Sequence, residues 1–404
     1  MTFSVLWHCA RIVMDRFKCL LILCTLSVVV YLWMSAFHMR PSNVLTTPSL
    51  RGATFRKQNF KKRVTIASHS KPTIPPDNRS EGWFLHDDTY TRSKCPSVLR
   101  QSPEKLPPGL KLIRDAPVLM WNEHINPEEY SRLKQFDRSY GWKSVPYDAI
   151  SSNLQHFDSP AHRYLFPDWS PVHDVCITCA VVGNSGIMRG SGLGQEIDKH
   201  DFVFRVNAAI TKGFEKDVGN RTSFYFHNIN TMLNAQKEYR KYGFVQPPQD
   251  EETIYVSVIA DAREHRYFDA AISWKPVKSG RDKSKTPPTQ YGEKPASTKF
   301  RMTHPDFMRY LKLYWLNSTR ALKGTMFRPT TGAAMLLTAL HTCDVTDAYG
   351  FITADHGRYN NHYYEPDKQA VKFPPNHDYQ LEIDLWDKLD KAGVMHLYRG
   401  KRHT

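Results

Sequence analysis

Short apolar segments alternate with longer helical segments from about residue 83 onward, and this alternation limits the fold more than any other feature of the chain. The strand-like segments are rich in β-branched and aromatic residues, and they are CAVVG (179–183), FVFRVNAA (202–209), TIYVSVIA (253–260) and DAYGF (347–351). The helical segments are FMRYLKLYWL (307–316), AAMLLTALHTC (333–343) and the segment from Tyr379 to Gly393, which has Leu381, Leu385 and Leu389 on one face. This order predicts an α/β domain with a largely parallel central sheet.

One segment interrupts the alternation. Residues 278–298, KSGRDKSKTPPTQYGEKPAST, are polar and contain three prolines. A stretch of this length without an apolar pattern predicts a long mobile loop over part of the surface.

The N-terminal region predicts a membrane anchor. Residues 19–37 contain no charged side chain, and a helix of this length crosses a hydrocarbon core of roughly 30 Å. A cleaved signal peptide is the alternative, but its apolar region is usually shorter and ends at an A-x-A-like site, which this chain lacks. The interpretation is a cytoplasmic tail over 1–18, a transmembrane signal-anchor over 19–37, a flexible Ser/Thr/Pro/Lys-rich stem over 38–82 and a folded domain over 83–404.

The net charge and the glycosylation sequons limit the possible partners and the cellular location of the folded domain. The net charge of +15 favours an anionic partner, which could be nucleic acid, a membrane surface or a small acidic substrate. Basic residues flank the apolar run on both sides, so the positive-inside rule does not orient it. The three N-x-S/T sequons, at Asn78, Asn220 and Asn317, all follow the run, as a luminal domain requires.

Four of the seven cysteines lie in the predicted domain: Cys95, Cys176, Cys179 and Cys343. Four cysteines in an oxidising lumen predict two structural disulfides, with three possible connectivities. The spacing Cys176-x-x-Cys179 also fits a redox motif or half of a zinc site, although no second C-x-x-C is present.

A glycine-rich stretch follows the first predicted strand. It places Asn184 and Ser185 at the carboxyl end of that strand, where open α/β sheets bind ligands. Gln195 stands where a G-x-G-x-x-G motif needs its last glycine, so a dinucleotide site is disfavoured. The alternative is an Asx-type turn that stabilises only itself.

Three further motifs lie downstream. Thr330, Thr331 and Gly332 precede an apolar helix, whose N-terminus either binds an anion or is simply capped. HYYE (362–365) supplies His362. In HDYQLE (377–382), His377 precedes a helix on a loop and could accept a proton near neutral pH, while Glu382 in the first turn complements the helix N-terminus.

Taken together and in order, these four motifs resemble those of the animal sialyltransferases, glycosyltransferase family 29. Residues 179–209 resemble the long sialyl motif and residues 328–351 the short one, while HYYE and the H-x4-E of HDYQLE resemble the third and the very short motifs. The resemblance covers roughly Cys95 to Tyr398. Within the family, the similarity is greatest to enzymes that act on α-N-acetylgalactosaminide with α-2,6 linkage.

The resemblance implies a single Rossmann-like domain of a GT-A-type variant and an enzyme that transfers sialic acid from CMP-sialic acid with inversion. By motif position, His377 is the base and His362 assists the departing phosphate, with Tyr364 and Glu365 completing the third motif. The residues expected to bind the donor are Asn184, Ser185, Asn207, Thr330, Thr331 and Gly332. The resemblance also implies a Cys179–Cys343 disulfide, which leaves Cys95 and Cys176 as the second pair.

The resemblance further implies an acceptor, a location and a lack of cofactors. The expected acceptor is the 6-hydroxyl of O-linked GalNAc, carrying β1,3-galactose, on a glycoprotein. The chain contains no Asp-x-Asp, and the expectation is an enzyme that needs neither metal nor cofactor, in the Golgi membrane with a single-pass type II orientation. The rival interpretations are a different acceptor linkage, a non-catalytic luminal protein that binds glycan or nucleotide, an NAD-linked oxidoreductase and a nucleic-acid-binding protein.

Overall fold

In the described part of the chain, seven parallel strands form one sheet, which confirms the predicted parallel arrangement, and four of the strands overlap the predicted strand-like segments. In the computed structural model the strands are β1 (Thr178–Val182), β2 (Phe202–Val206), β3 (Phe224–His227), β4 (Ile254–Ser257), β5 (Phe300–Met302), β6 (Val345–Tyr349) and β7 (His396–Leu397). Their order is β5-β4-β3-β2-β1-β6-β7, and every pairing between them is parallel.

The structure describes residues 84–401, except for 91–92, 94, 96–98, 139, 168–175, 287–290, 292–294, 320–326 and 368. The predicted tail, membrane span and stem, together with the Asn78 sequon, lie outside the described residues. Within the described ranges, no helix is both long and apolar enough to cross a membrane.

Helices cover both faces of the sheet. They are α1 (Pro127–Leu133), α2 (Tyr147–Leu154), α3 (Gly194–Asp198), α4 (Glu215–Val218), α5 (Ile229–Glu238), α6 (Ala262–Ser273), α7 (Pro305–Tyr314), α8 (Thr331–Thr342) and α9 (Tyr379–Lys391). Because both faces are covered, the central strands β1, β3 and β4 are apolar or aromatic at most positions rather than only at alternate ones.

Successive strand residues enter two separate cores. Val181 and Phe204 face a core that contains α8 and part of α9, whereas Ala180 and Val203 face a core that contains much of α6. Every residue of α8 except Gly332 is buried. A helix that is apolar on all sides is expected in such a central position.

The chain changes direction across the sheet between β1 and β6. From β1 it proceeds strand by strand to β5, and then returns to place β6 on the other side of β1. The loops that follow these two strands therefore leave in opposite directions, which opens a crevice at the carboxyl end of the sheet. Gly183 and Gly350 let the two loops touch, because a Cβ built on Gly183 would collide with the carbonyl oxygen of Gly350.

Two disulfides settle the connectivity that the cysteine count left open. Cys95 bonds Cys176 and Cys179 bonds Cys343, with Cα–Cα distances of 5.3 and 6.2 Å. The redox and zinc interpretations of Cys176-x-x-Cys179 are therefore wrong, since each cysteine pairs with a distant partner. Among the described residues, no group of three or more histidine, cysteine or acidic side chains could hold a metal ion.

The segment 278–298 is anchored at two points. Tyr291 is fully buried, and its hydroxyl lies 2.7 Å from Nε2 of His227 at the end of β3. Asp282 is also buried and pairs with Arg263 of α6 and with Lys285. The prediction of a loop that is mobile throughout is wrong at these positions, because two isolated side chains anchor a stretch whose overall composition is polar.

Candidate active site

One cleft brings together all eight residues predicted to bind the donor or act in catalysis. It has a volume of about 430 Å³, and its lining includes Asn184, Ser185, Asn207, Thr330, Thr331, Gly332, His362 and His377. It lies at the carboxyl ends of β1, β2 and β6, which is the position that the sheet topology favours for a ligand. The volume is within the range of small-molecule sites.

The turn after β1 is tied to its neighbours rather than to itself. The Asn184 side-chain amide donates to the backbone carbonyl of Val206 at 3.0 Å, and the backbone carbonyl of Asn184 accepts from the backbone amide of Tyr363 at 3.1 Å. The amide of Ser185 donates to the carbonyl of Gly350 at 3.0 Å. A self-contained Asx turn is therefore excluded, and the loops after β1, β2 and β6 and the third motif form one unit.

Asn207 follows β2 in a backbone conformation that few residues adopt. Its φ is +50°, in the left-handed region where asparagine is among the tolerated residues. Its backbone amide donates to the carbonyl of Phe226 at 2.9 Å. Its Oδ1 is buried without a hydrogen-bond partner among the described residues. A buried acceptor beside a cleft is costly unless a ligand donates to it.

The N-terminus of α8 also opens onto the cleft. Thr330 caps the helix, because its Oγ1 accepts from the amide of Ala333 at 2.9 Å. Thr331 and Gly332 follow in the first turn, whose amides have no carbonyl partner within the helix. Those amides and the helix dipole together favour an anionic group at this end of the cleft.

Glu382 holds this cap in place. Its two carboxylate oxygens accept from the backbone amide of Thr330 at 2.9 Å and from the Thr330 hydroxyl at 2.7 Å. Burial raises the pKa of Glu382 to about 7, against the lowering effect of the Thr330 donors. Glu382 lies in the first turn of α9, as predicted, and Asp378 caps that helix through the amide of Leu381; the contact of Glu382 with Thr330 was not predicted.

His377 precedes α9 on a turn, as predicted. Its Nδ1 lies 2.8 Å from the carbonyl oxygen of Arg328, and a carbonyl can only accept, so Nδ1 carries the proton. Nε2 then has a lone pair, with the Asn376 side-chain amide 3.2 Å away as a donor. Burial lowers the pKa of His377, while the Arg328 carbonyl raises it and the Arg328 charge lowers it. A neutral imidazole in a defined tautomer has the properties of a general base.

His362 lies between two aromatic rings and one carboxylate. Its ring stacks on Tyr364 with centroids 5.0 Å apart and meets the edge of Tyr239 at 5.1 Å. Its Nδ1 is 3.1 Å from Oε1 of Glu365. Burial lowers the pKa of His362, and Glu365 partly offsets this. An anion entering the cleft would favour the protonated ring.

One wall of the cleft contains none of the four motifs. Helix α5 contributes Thr231, Asn234, Ala235 and Glu238. Their spacing of i, i+3, i+4 and i+7 places them on one helical face. This spacing is a sequence signal for a helical face, but three of the four residues are polar, so the stripe differs from the apolar face that usually identifies an amphipathic helix.

The chain belongs to glycosyltransferase family 29, the sialyltransferases, because the family model matches residues 119–394. The predicted family and enzyme class are therefore confirmed. A Mus musculus protein, "Alpha-N-acetylgalactosaminide alpha-2,6-sialyltransferase 2", is 44% identical over 285 residues, which are 70% of this chain and 76% of the relative. "Alpha-N-acetylgalactosaminide alpha-2,6-sialyltransferase 1" of Gallus gallus is 37% identical over 68% of this chain and 50% of the relative.

A solved structure supports the same fold. The crystal structure of a mammalian sialyltransferase matches 72% of this chain and 92% of that chain, with a TM-score of 0.51 and 25% sequence identity. The predicted α/β architecture with a parallel sheet is thus found in a known sialyltransferase.

Proposed function

We propose that this enzyme transfers sialic acid from CMP-sialic acid, with inversion, to the 6-hydroxyl of O-linked GalNAc on glycoproteins. The expected acceptor is Galβ1,3GalNAc attached to Ser or Thr. One observation carries the proposal: the eight residues selected from four separate motifs all line one cleft. The 44% identity to an α-2,6-sialyltransferase named for α-N-acetylgalactosaminide supports the acceptor and the linkage. It also favours type 2 of these enzymes, because the type 1 relative is 37% identical.

In the proposed reaction, Nε2 of His377 removes the proton from the acceptor hydroxyl. The acceptor oxygen forms a bond to the anomeric carbon of sialic acid as the bond from that carbon to the phosphate oxygen breaks. The electron pair of the broken bond leaves with CMP. His362 and the first-turn amides of α8 would stabilise the charge that develops on the departing phosphate. Asn184, Ser185 and Asn207 would hold the nucleotide.

We further propose that the reaction needs no metal or other cofactor. The chain lacks the Asp-x-Asp that holds a cation against a nucleotide diphosphate in many transferases. The leaving group here is a nucleoside monophosphate, which carries less charge than a diphosphate. The helix N-terminus and His362 are the groups proposed to stabilise it.

The proposed location is the Golgi membrane, in a single-pass type II orientation with residues 83–404 in the lumen. We assign the fold of that luminal domain to a GT-A-type variant. Two of the three sequons support a luminal position, because Asn220 and Asn317 are both exposed. Two experiments test this orientation. The luminal part of the full-length protein should be protected from protease in sealed microsomes. Glycosidase treatment should change the electrophoretic mobility of the protein, and this change should be lost in Asn220→Gln and Asn317→Gln.

The function is tested with the purified full-length protein, CMP-sialic acid and two glycopeptides, one bearing GalNAc and the other Galβ1,3GalNAc, in the presence of EDTA. Linkage analysis should find α-2,6-linked sialic acid on GalNAc. Transfer to another hydroxyl would refute the linkage, and loss of transfer in EDTA with rescue by a cation would refute metal independence. CMP binding without transfer to either glycopeptide would favour the rival interpretation, a non-catalytic binding protein.

A further inference from the structure

A tight turn within the segment 278–298 presents an exposed basic surface. The backbone amide of Ser284 donates to the carbonyl of Val277 at 2.9 Å, and the amide of Val277 donates to the carbonyl of Lys285 at 2.9 Å. The chain therefore folds back on itself between these residues. Three basic residues of the turn are exposed, and together they are named the basic turn: Lys278, Arg281 and Lys283.

The charge of the basic turn is not neutralised within the described part of the chain. None of its three side chains forms a hydrogen bond or an ion pair with a described residue. Asp282, the one acidic residue between 277 and 285, is buried and already pairs with Arg263 and Lys285. Arg266 of α6 adds a fourth cation, because a Cβ built on Gly280 would lie 3.2 Å from its Nη1. A cluster of positive charges that folding leaves uncompensated favours an anionic partner.

A short series of contacts connects the basic turn to the proposed base. Arg263, in the first turn of α6, donates from Nη2 to Asp282 at 3.2 Å. Burial raises the pKa of the next residue, Glu264, to about 7, and the charge of Arg328 partly offsets this effect, so Arg328 lies near the same turn of α6. The carbonyl of Arg328 accepts from Nδ1 of His377 at 2.8 Å. The basic turn therefore lies on the flank of the cleft where an acceptor must approach His377.

The two substrates differ in how far they extend from the cleft. The donor is a small molecule, whereas a glycoprotein acceptor carries a polypeptide that remains outside the cleft when its sugar is bound. An extended polypeptide advances about 3.3–3.6 Å per residue, so side chains a few positions from the glycosylated Ser or Thr reach beyond the bound sugar. Carboxylates on that polypeptide form charge-assisted hydrogen bonds with arginine and lysine, whereas basic side chains are repelled.

We propose that the basic turn binds acidic residues that flank the glycosylated Ser or Thr of the glycoprotein acceptor. This inference rests on the proposed function and deepens it, because it names the class of polypeptide that the enzyme prefers. The basic turn takes no part in the chemical step and does not contact the donor. An anionic membrane surface is the rival partner, and the position of the turn on the flank of the base favours the polypeptide.

The test uses the purified full-length protein and two glycopeptides that carry Galβ1,3GalNAc on the same threonine, one with flanking glutamates and the other with glutamines in their place. The triple variant Lys278→Gln/Arg281→Gln/Lys283→Gln removes the basic turn. The matched control, Lys199→Gln/Lys212→Gln/Lys216→Gln, removes three exposed lysines outside the cleft. The Kd for each glycopeptide, measured without donor, and the Kd for CMP are determined for all three proteins.

The wild type should bind the glutamate glycopeptide more tightly than the glutamine one, and this preference should shrink at high salt. Loss of the three charges should raise the Kd for the glutamate glycopeptide by about five- to tenfold. The Kd values for the glutamine glycopeptide and for CMP should stay at the wild-type value. The control variant should keep the full preference.

Equal wild-type Kd values for the two glycopeptides would overturn the inference, and binding of phosphatidylserine vesicles that depends on the basic turn would then assign the surface to a membrane. An equal loss in the control variant would overturn it too, since net charge rather than this surface would be responsible. A wild type that prefers the glutamate glycopeptide but transfers sialic acid to neither would refute the proposed function while it supports the acidic preference of the turn. Normal transfer without that preference refutes the inference alone.

Discussion

At the scale of single residues, a few hydrogen bonds determine what each cleft side chain can do. The Arg328 carbonyl fixes the tautomer of His377 and leaves Nε2 with its lone pair. The left-handed backbone of Asn207 accompanies a buried Oδ1 that has no partner in the described part of the chain. Glu382, in the very short motif, holds Thr330, in the short motif, through two hydrogen bonds and thereby connects these two motifs. The geometry of the site thus depends on hydrogen bonds within the protein as well as on the groups that face the cleft.

Glu382→Gln should change how stability depends on pH. Burial raises the pKa of Glu382 from 4.5 to about 7, so between these values the folded protein binds this proton more tightly than the unfolded chain does. The stabilising contribution of the protonated carboxyl is therefore present below pH 4.5 and is lost as the pH rises through 7. Because glutamine does not titrate, the free energy of unfolding of the variant should rise relative to wild type over this range, by up to about 3 kcal/mol.

Chemical denaturation at pH 5 and pH 7.5 measures this difference, with Glu251→Gln as the control for an exposed carboxylate. If wild type and Glu382→Gln keep a constant difference in stability at the two values, Glu382 does not titrate in this range and its assigned environment is incorrect.

At the scale of elements, the cleft depends on close contact between the loops after β1 and β6. Gly183 and Gly350 meet through their backbones, and Gly350 has a φ of +68°. Behind them, the Cys179–Cys343 disulfide joins the start of β1 to the residue that directly follows α8. The two segments that are proposed to bind the donor are therefore joined at both ends of β1.

Gly183→Ala should destabilise the protein and weaken CMP binding. The added methyl group would collide with the backbone of Gly350, so the two loops would have to separate. An overpacked site of this kind typically costs about 1–3 kcal/mol. Thermal unfolding and calorimetric titration with CMP measure the two effects.

Gly357→Ala is the matched control, because a Cβ at that position has no atom within 4 Å. Equal stability and CMP affinity for both alanine variants would contradict the proposed contact between the loops.

Removal of the Cys179–Cys343 bond should cost about 2–5 kcal/mol of unfolding free energy. The bond closes a loop of 164 residues, and both cysteines are buried. The Cys179→Ala/Cys343→Ala double variant is compared by denaturant unfolding with Cys95→Ala/Cys176→Ala, which opens a loop of 81 residues. Doubling the length of the closed loop adds only about 0.6 kcal/mol to the stabilisation expected from a disulfide. A double variant at 179 and 343 as stable as wild type would contradict a structural role for this bond.

At the scale of the whole molecule, the order of strands places the site. The chain leaves β1 in one direction and returns beside it with β6, so segments that are more than 140 positions apart in the chain, such as 184 and 330–332, line the same cleft. The motifs that contain His362 and His377 follow β6 in the chain and complete the lining of the cleft. An open parallel sheet thus collects the four motifs at one edge.

Much of this arrangement could be predicted from the sequence because each motif follows a recognisable strand or begins a recognisable helix. Segments CAVVG and DAYGF have the composition of buried strands, and the structure has β1 and β6 there. The short strands β5 and β7 could not be recognised, since they contain three and two residues. The role of Glu382 and the anchors at Asp282 and Tyr291 depend on contacts between distant segments, which no local pattern encodes.

In the proposed reaction His377 is the base. This role is tested by measuring kcat as a function of pH, and the CMP Kd, for the wild type, His377→Gln and the exposed control His86→Gln. Because burial lowers the pKa of His377 below 6.5 and only the neutral ring accepts a proton, wild-type kcat should fall at acidic pH with an apparent pKa below 6.5. His377→Gln should lose about 100-fold or more in kcat, together with that acidic decline, while it keeps its CMP Kd. A His377→Gln enzyme with the wild-type rate and the wild-type acidic decline would show that His377 is not the base.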